Sequence, residues 1–154
     1  MELTLSHFLP YRLNRISEAV SNEMRAIYKQ RHGLNRPEWR VLAALADLER
    51  STATEVGAHS TQHKTKVSRA VFALEKRRWL KRQTDPQDRR SEYLTLTDAG
   101  RKAYRELAAP LLAREERILA RLSDQDRNAV EQALSALETA LDITPDGAPP
   151  DAPA

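Results

Sequence analysis

The chain has 154 residues, 40% of them apolar, a net charge of +3 and no cysteine, enough for one domain or for one domain with a dimerisation extension. Without thiols, disulfide staples, thiolate-ligated zinc and thiol redox switching are excluded. Aromatics at 5% argue against a base-stacking platform for single strands, and four glycines against a glycine-rich nucleotide fold.

The N-terminus carries an early acid, Glu2, and no apolar core of signal-peptide length; no run approaches a membrane span. A soluble, cytoplasmic protein is expected. Leu3, Leu5 and Phe8 are too apolar for a free tail and either extend the first helix or pack on a partner chain. That helix is predicted from about Pro10 to Gln30. Leu13, Ile16, Val20, Met24 and Ile27 recur at helical spacing, and Gly33 is the stop signal after a basic last turn.

Asn35 opens a second helix, with Pro37 in its first turn and Glu38 completing a capping box. Trp39, Leu42, Leu45 and Leu48 line one face, which Val41 widens. Thr52-Ala53-Thr54-Glu55 is a second capping box, opening a helix of two turns through Val56 and Ala58. His59 to His63 is the turn that follows.

Lys64 then begins a basic helix reaching about Arg77. Val67, Ala70, Val71 and Leu74 form one buried stripe at i, i+3, i+4 and i+7. Lys64, Thr65, Lys66, Ser68 and Arg69 lie off that stripe on the first turn and a half. Between Lys64 and Arg90 there are ten Lys and Arg against three acids. That segment is locally +7 and the remainder of the chain −4, the distribution expected of a phosphate-binding face. The bland alternative is a solvated basic surface on an ordinary helix.

Trp79 and Leu80 lead into a strand continuing to Thr84. Asp85-Pro86-Gln87-Asp88-Arg89-Arg90 is a polar loop whose Asp-Pro favours a turn. The return strand is Tyr93 to Thr97, with Leu94 and Leu96 on one face. A hairpin of two such strands needs the helices as a base. Thr97 caps a long helix from Asp98 that is predicted to reach Leu122. Tyr104, Leu107, Ala108, Leu111, Leu112, Ile118, Leu119 and Leu122 form its stripe, and Pro110 is expected to kink or locally break it. Ser123 caps a last helix with Val130, Ala133, Leu134, Leu137 and Leu141 on one face. Residues 144–154, rich in proline and without a large apolar residue, read as a disordered tail.

The layout is mainly α with a small two-stranded β-wing: a winged helix-turn-helix with N- and C-terminal dimerisation helices. Residues 1–34 form the N-terminal dimerisation helix, 35–97 the DNA-binding domain and 98–143 the C-terminal dimerisation helices. The terminal stripes are wider than one small domain requires, so a homodimer is expected to cover them.

This pattern resembles the MarR family of bacterial transcriptional regulators. The resemblance is carried by Lys64-Thr65-Lys66-Val67-Ser68-Arg69-Ala70-Val71 and Leu74-Glu75-Lys76-Arg77. It extends to the wing Asp85–Arg90, to Leu94-Thr95-Leu96-Thr97-Asp98-Ala99-Gly100 and to Pro37-Glu38-Trp39-Arg40-Val41-Leu42, in an element order spanning roughly residues 8–142. Two positions depart from it. Arg78 stands where glycine commonly ends the recognition helix, which questions the turn geometry. His63 stands where an aspartate is often seen, which removes an expected cap. The resemblance implies a two-fold dimer on a pseudo-palindromic operator of double-stranded DNA, usually as a repressor, often released by a small phenolic or aromatic carboxylate.

On this reading the basic helix enters the major groove. Arg69 is assigned a guanine contact, because a guanidinium offers the planar fork matching O6 and N7. Thr65 and Ser68 reach phosphate or a base, and Lys64 and Lys66 suit phosphate. Arg89 and Arg90 reach the adjacent minor groove, with Asp88 orienting Arg90. For an effector, Tyr11 and Arg15 one turn apart, with Trp39, offer a cation for an acid and rings for stacking. The alternative is that the two aromatics are core residues and Arg15 is exposed.

Glu55, His59 and His63 are spaced by four but straddle the turn, so neither a metal site nor a cofactor is expected. Two other classes stay open: an enzyme, for which no catalytic constellation stands out, and a winged helix serving as a protein–protein or RNA module.

Overall fold

The computed structural model describes residues 3–85 and 92–143. A single 3₁₀ turn, Leu5–His7, precedes helix α1, Leu9–His32; α2, Arg36–Leu48, follows. A short strand β1, Arg50–Thr52, leads into α3, Ala53–His59, and α4, Lys64–Lys76. Strands β2, Leu80–Thr84, and β3, Glu92–Leu96, precede α5, Asp98–Leu119, and α6, Asp124–Ala140.

The sequence marks these boundaries through caps. Asn35 accepts from the Glu38 amide, and the Glu38 carboxylate accepts from the Asn35 amide. Thr52 and Glu55 reciprocate in the same way. Both capping boxes stand where the sequence predicts them, each satisfying amides that a helix start leaves open. Gly33 closes α1 at φ 64°, and its amide donates to the Lys29 carbonyl at 2.8 Å, a left-handed cap that favours glycine.

The core lies where α2, α3, α4 and α5 meet the sheet. Val41, Leu42, Leu45, Val56, Leu94, Leu96 and Leu107 are fully buried there with the whole predicted stripe of α4. The sheet corrects the two-stranded expectation. Its order is β1-β3-β2, all antiparallel, with Ser51 opposite Leu94 on one side and Arg82 opposite Leu94 on the other. A run of three residues before a capping box carries no alternation by which a strand is recognised. It becomes one by pairing with β3, and Arg50 then stacks over the Tyr93 ring at 3.8 Å.

Pro110 does not break its helix: α5 continues through it to Leu119, short of the predicted Leu122. Proline leaves the carbonyl four residues earlier without an intrahelical donor. That carbonyl, on Glu106, accepts from Arg31 Nη1 of α1 at 3.4 Å.

The terminal elements are only partly covered. Met24, Ile27 and Tyr28 of α1 pack on the core, but Leu13, Ile16 and Val20 of the same predicted stripe are exposed, as are Leu3, Leu5 and Phe8. Helix α6 buries no residue, and its Val130, Leu134 and the following Leu141 face outward. Among the described residues no helix is long and apolar enough to cross a membrane.

Candidate nucleic-acid interface

Helix α4 divides into two faces. Val67, Ala70, Val71 and Leu74 are at most 2% exposed, whereas Lys64, Thr65, Lys66, Ser68 and Arg69 are all exposed. The structure thus brings the five predicted contact residues of this helix together on one outward surface. Among the described residues, Lys64, Lys66 and Arg69 have no ion-pair partner, so their positive charge is directed outward.

Three devices hold this helix. At its start His63 Nδ1 accepts from the Thr65 amide at 3.4 Å, so the cap that the sequence predicts to be lost is present, though long. In the α3–α4 turn Thr61 sits at φ 51°, a left-handed conformation that costs a β-branched residue about 1–2 kcal/mol. Arg40 of α2 donates to its hydroxyl at 2.7 Å, and Gln62 ties the turn to the Pro37 carbonyl at 3.4 Å. At its end Arg78 takes φ 59°. The Arg78 amide donates to the Glu75 carbonyl at 2.8 Å and the Trp79 amide to the Leu74 carbonyl at 3.0 Å, the hydrogen-bond pair of a Schellman cap. An arginine therefore adopts the geometry that glycine takes more cheaply, and the turn is kept.

Not every cation in the basic segment is available to a ligand. Arg82 of β2 donates to Glu92 at 2.8 Å and to Glu75 of α4 at 3.1 Å. The bond to Glu92 is the largest cause raising the Arg82 pKa above its ordinary value, and the Glu75 bond adds to it against partial burial. Arg82 is a brace between helix and hairpin. Arg77 donates to the His32 and Gly33 carbonyls at the end of α1. Sequence reasoning counted both within one phosphate-binding charge, because charge patterning does not show which cations have internal acceptors.

At the start of α2, Arg36 makes a two-pronged ion pair with Glu18 of α1 at 2.7 and 3.2 Å. The hydrogen bond from Arg36 holds the Glu18 carboxyl below its ordinary pKa, and the more distant charge of Lys66 adds to the effect. The pairing of Glu18 with Arg36 ties α1 to the start of α2, a relation that the sequence does not signal.

Asp88, Arg89 and Arg90 lie outside the described residues, as does the predicted tail 144–154. The strands that flank the first three are paired out to Thr84 and Glu92.

The proposed effector residues separate into two places. The Arg15 guanidinium lies 5.8 Å from the Tyr11 ring centroid on the exposed part of α1. Trp39 is half-buried between Tyr28 and Tyr104, its ring nearly parallel to both at 6.2 and 5.9 Å. Trp39 and Tyr104 line a cavity of about 260 Å³ with Met24, Ala108, Leu111, Leu112 and Glu115. Neither Tyr11 nor Arg15 borders it. Glu55 is engaged in its capping box, His59 Nε2 lies 3.0 Å from Asp47, and His63 caps α4. Among the described residues no group of three or more His, Asp or Glu is arranged to hold a metal.

Comparison with known proteins gives a consistent answer. Residues 32–91 match the model of the MarR family. The chain is 30% identical over 97 residues to the HTH-type transcriptional regulator YwoH of Bacillus subtilis (strain 168), covering 63% of this chain and 70% of that one. It is similar to the crystal structure of the MarR family transcriptional regulator SPO1453 from Silicibacter pomeroyi DSS-3, with 31% identity, TM-score 0.77 and coverage of 91% of this chain and 99% of that one. Sco3205, a MarR family transcriptional regulator from Streptomyces coelicolor solved in complex with DNA, has the same fold at 22% identity and TM-score 0.76, covering 96% of this chain and 94% of that one.

Proposed function

This chain belongs to the MarR family of transcriptional regulators, and on that premise we propose that it acts as a two-fold dimer on a pseudo-palindromic operator in double-stranded DNA, as a repressor released by a small aromatic or phenolic acid. The observation that carries the DNA-binding part is the outward surface of α4, where three cations without an ion-pair partner among the described residues stand beside Thr65 and Ser68. A helix so presented supplies base contacts from its first turns and phosphate contacts from its lysines. Arg69 is assigned to a guanine, Lys64 and Lys66 to phosphates, and Arg89 and Arg90 to the minor groove beside them, with Asp88 orienting Arg90.

Dimerisation is supported by the exposed apolar residues of α1 and α6, which one chain leaves uncovered. Residues 1–34 and 98–143 are the elements assigned to it. Two copies joined through these helices would hold their α4 helices about 34 Å apart, one duplex turn.

The cavity beside Trp39 supports an aromatic effector: flat rings line it, and Glu115 is an acceptor for a phenolic hydroxyl. Its charged lining residue is an acid, so an effector carboxylate needs a cation from elsewhere. Arg15 precedes Met24 by nine positions on α1, about 13 Å along the helix, and is assigned that role only within the two-chain assembly.

A duplex selected from a randomised pool by the purified protein tests the reading. Binding is expected to be sequence-preferring, steeply weakened by salt and two chains per duplex, with release by millimolar salicylate-like acids. A strictly monomeric protein, or equal affinity for all duplexes, contradicts it.

A further inference from the structure

Phe72 is 58% exposed on the outward side of the recognition helix. At about 100° per residue it falls about 20° from Thr65, on the side opposite the buried stripe. It stands about 4.5 Å further along the helix than Arg69, three positions at about 1.5 Å each. Among the described residues, every other exposed large apolar side chain lies on α1 or the segment before it, or from Leu112 onward. Phe72 belongs to neither surface and follows Ser68 and Arg69 by one helical turn on the outward side of α4. The Lys76 ammonium approaches its ring to 5.6 Å, which steadies the ring without covering it.

We propose that Phe72 is a specificity-determining residue that reads the 5-methyl group of a thymine in the operator half-site. That methyl is the apolar group a base edge presents in the major groove, and a phenyl ring is among the side chains that pack on it. The offset from Arg69 places this thymine one to two base pairs from the guanine assigned to that arginine. The inference rests on α4 being the groove-entering helix.

The test uses the full chain and the duplex selected from a randomised pool, with each thymine of one half-site replaced in turn by uracil, which removes the methyl alone. In the wild-type protein, anisotropy titrations are expected to show one position where uracil weakens binding about fourfold, the value of one buried methyl at ~0.8 kcal/mol. Phe72→Ala is expected to bind the thymine duplex more weakly and to be indifferent to uracil there, while Phe72→Leu retains most of the discrimination. Unchanged thermal unfolding of both variants separates this from misfolding. Tolerance of uracil at every position by the wild type, or the same penalty in Phe72→Ala, overturns the proposal and leaves the operator reading intact. Failure to select any preferred duplex overturns both.

Discussion

Arg77 Nη1 donates to the His32 carbonyl at 2.7 Å, so the residue that ends α4 also closes the open end of α1. The same guanidinium reaches the Gly33 carbonyl at 3.4 Å and lies 5.2 Å from the Trp79 ring centroid. His32 meets Trp79 edge-on at 5.2 Å, and its Nε2 is 3.2 Å from Glu106 of α5. Residues of α1 and α5 thus meet beside the end of α4, Glu106 through His32 and His32 through Trp79. Arg77→Met is expected to lower stability by about 1 kcal/mol, the lower range for a charged donor on an exposed site. Urea unfolding measures it, and an unchanged midpoint would show that the junction contributes nothing.

Arg69 and Lys66 are expected to behave differently although both are exposed cations of α4. Arg69→Ala should cost about 1–3 kcal/mol of operator affinity and relax preference at one base pair. Lys66→Ala should weaken all duplexes alike and reduce the slope of log affinity against log salt by about one. Thermal unfolding of both should match the wild type, because neither side chain has an ion-pair partner among the described residues. A salt-independent loss for Lys66→Ala would remove it from the phosphate contacts.

Arg78→Gly should stabilise the protein. The left-handed conformation of Arg78 costs an L-residue about 1–2 kcal/mol, and the extra entropy that glycine loses on folding offsets about 0.5–1 kcal/mol of the relief. A net gain of about 0.5–1 kcal/mol is expected in chemical denaturation. The guanidinium of Arg78 has no ion pair among the described residues to set against this gain.

Gly100→Ala should do the reverse. Thr97 caps α5 by accepting from the Gly100 amide, and its hydroxyl donates to the Arg78 carbonyl at 2.7 Å. This draws the turn after α4 onto the first turn of α5, and a Cβ on Gly100 would collide with the Trp79 carbonyl oxygen. Backbone on both sides has little room to yield, so a loss of about 1–3 kcal/mol is expected. Wild-type stability in that variant would show that the turn moves freely.

Acid should loosen the contact between α1 and α2. The Glu18 carboxyl titrates below its ordinary range because Arg36 hydrogen-bonds to it. A carboxyl depressed in the folded state contributes stability above its unfolded pKa, and that contribution is lost as pH falls through the folded value. Carbon-detected NMR titration should therefore find Glu18 ionised below the usual glutamate range, and Arg36→Met should return it there. Ordinary titration of Glu18 in the wild type would show that the pair does not persist in solution.

How far the chain can be read without coordinates depends on the range of the interaction involved. Capping boxes at Asn35 and Thr52, the Thr97 and Ser123 caps and the buried stripe of α4 are local patterns within one or two helical turns. They appear in the structure where the sequence puts them. The outward set Lys64 to Arg69 follows from the same periodicity, since fixing the buried face of a helix fixes its exposed one.

Tertiary structure alone decided the rest. It made a strand of Arg50–Thr52, because pairing with β3 supplies hydrogen bonds that no local pattern encodes. It turned Arg77 and Arg82 from surface charge into braces, and brought Glu18 beside Arg36 across 18 positions. It also parted Trp39 from Tyr11 and Arg15, neither of which lines the cavity that Trp39 borders. Each of these outcomes depends on which distant group comes within hydrogen-bonding or ring-stacking reach. Such distances arise when helices pack, whereas the spacing of residues along the chain governs only what a single turn can see.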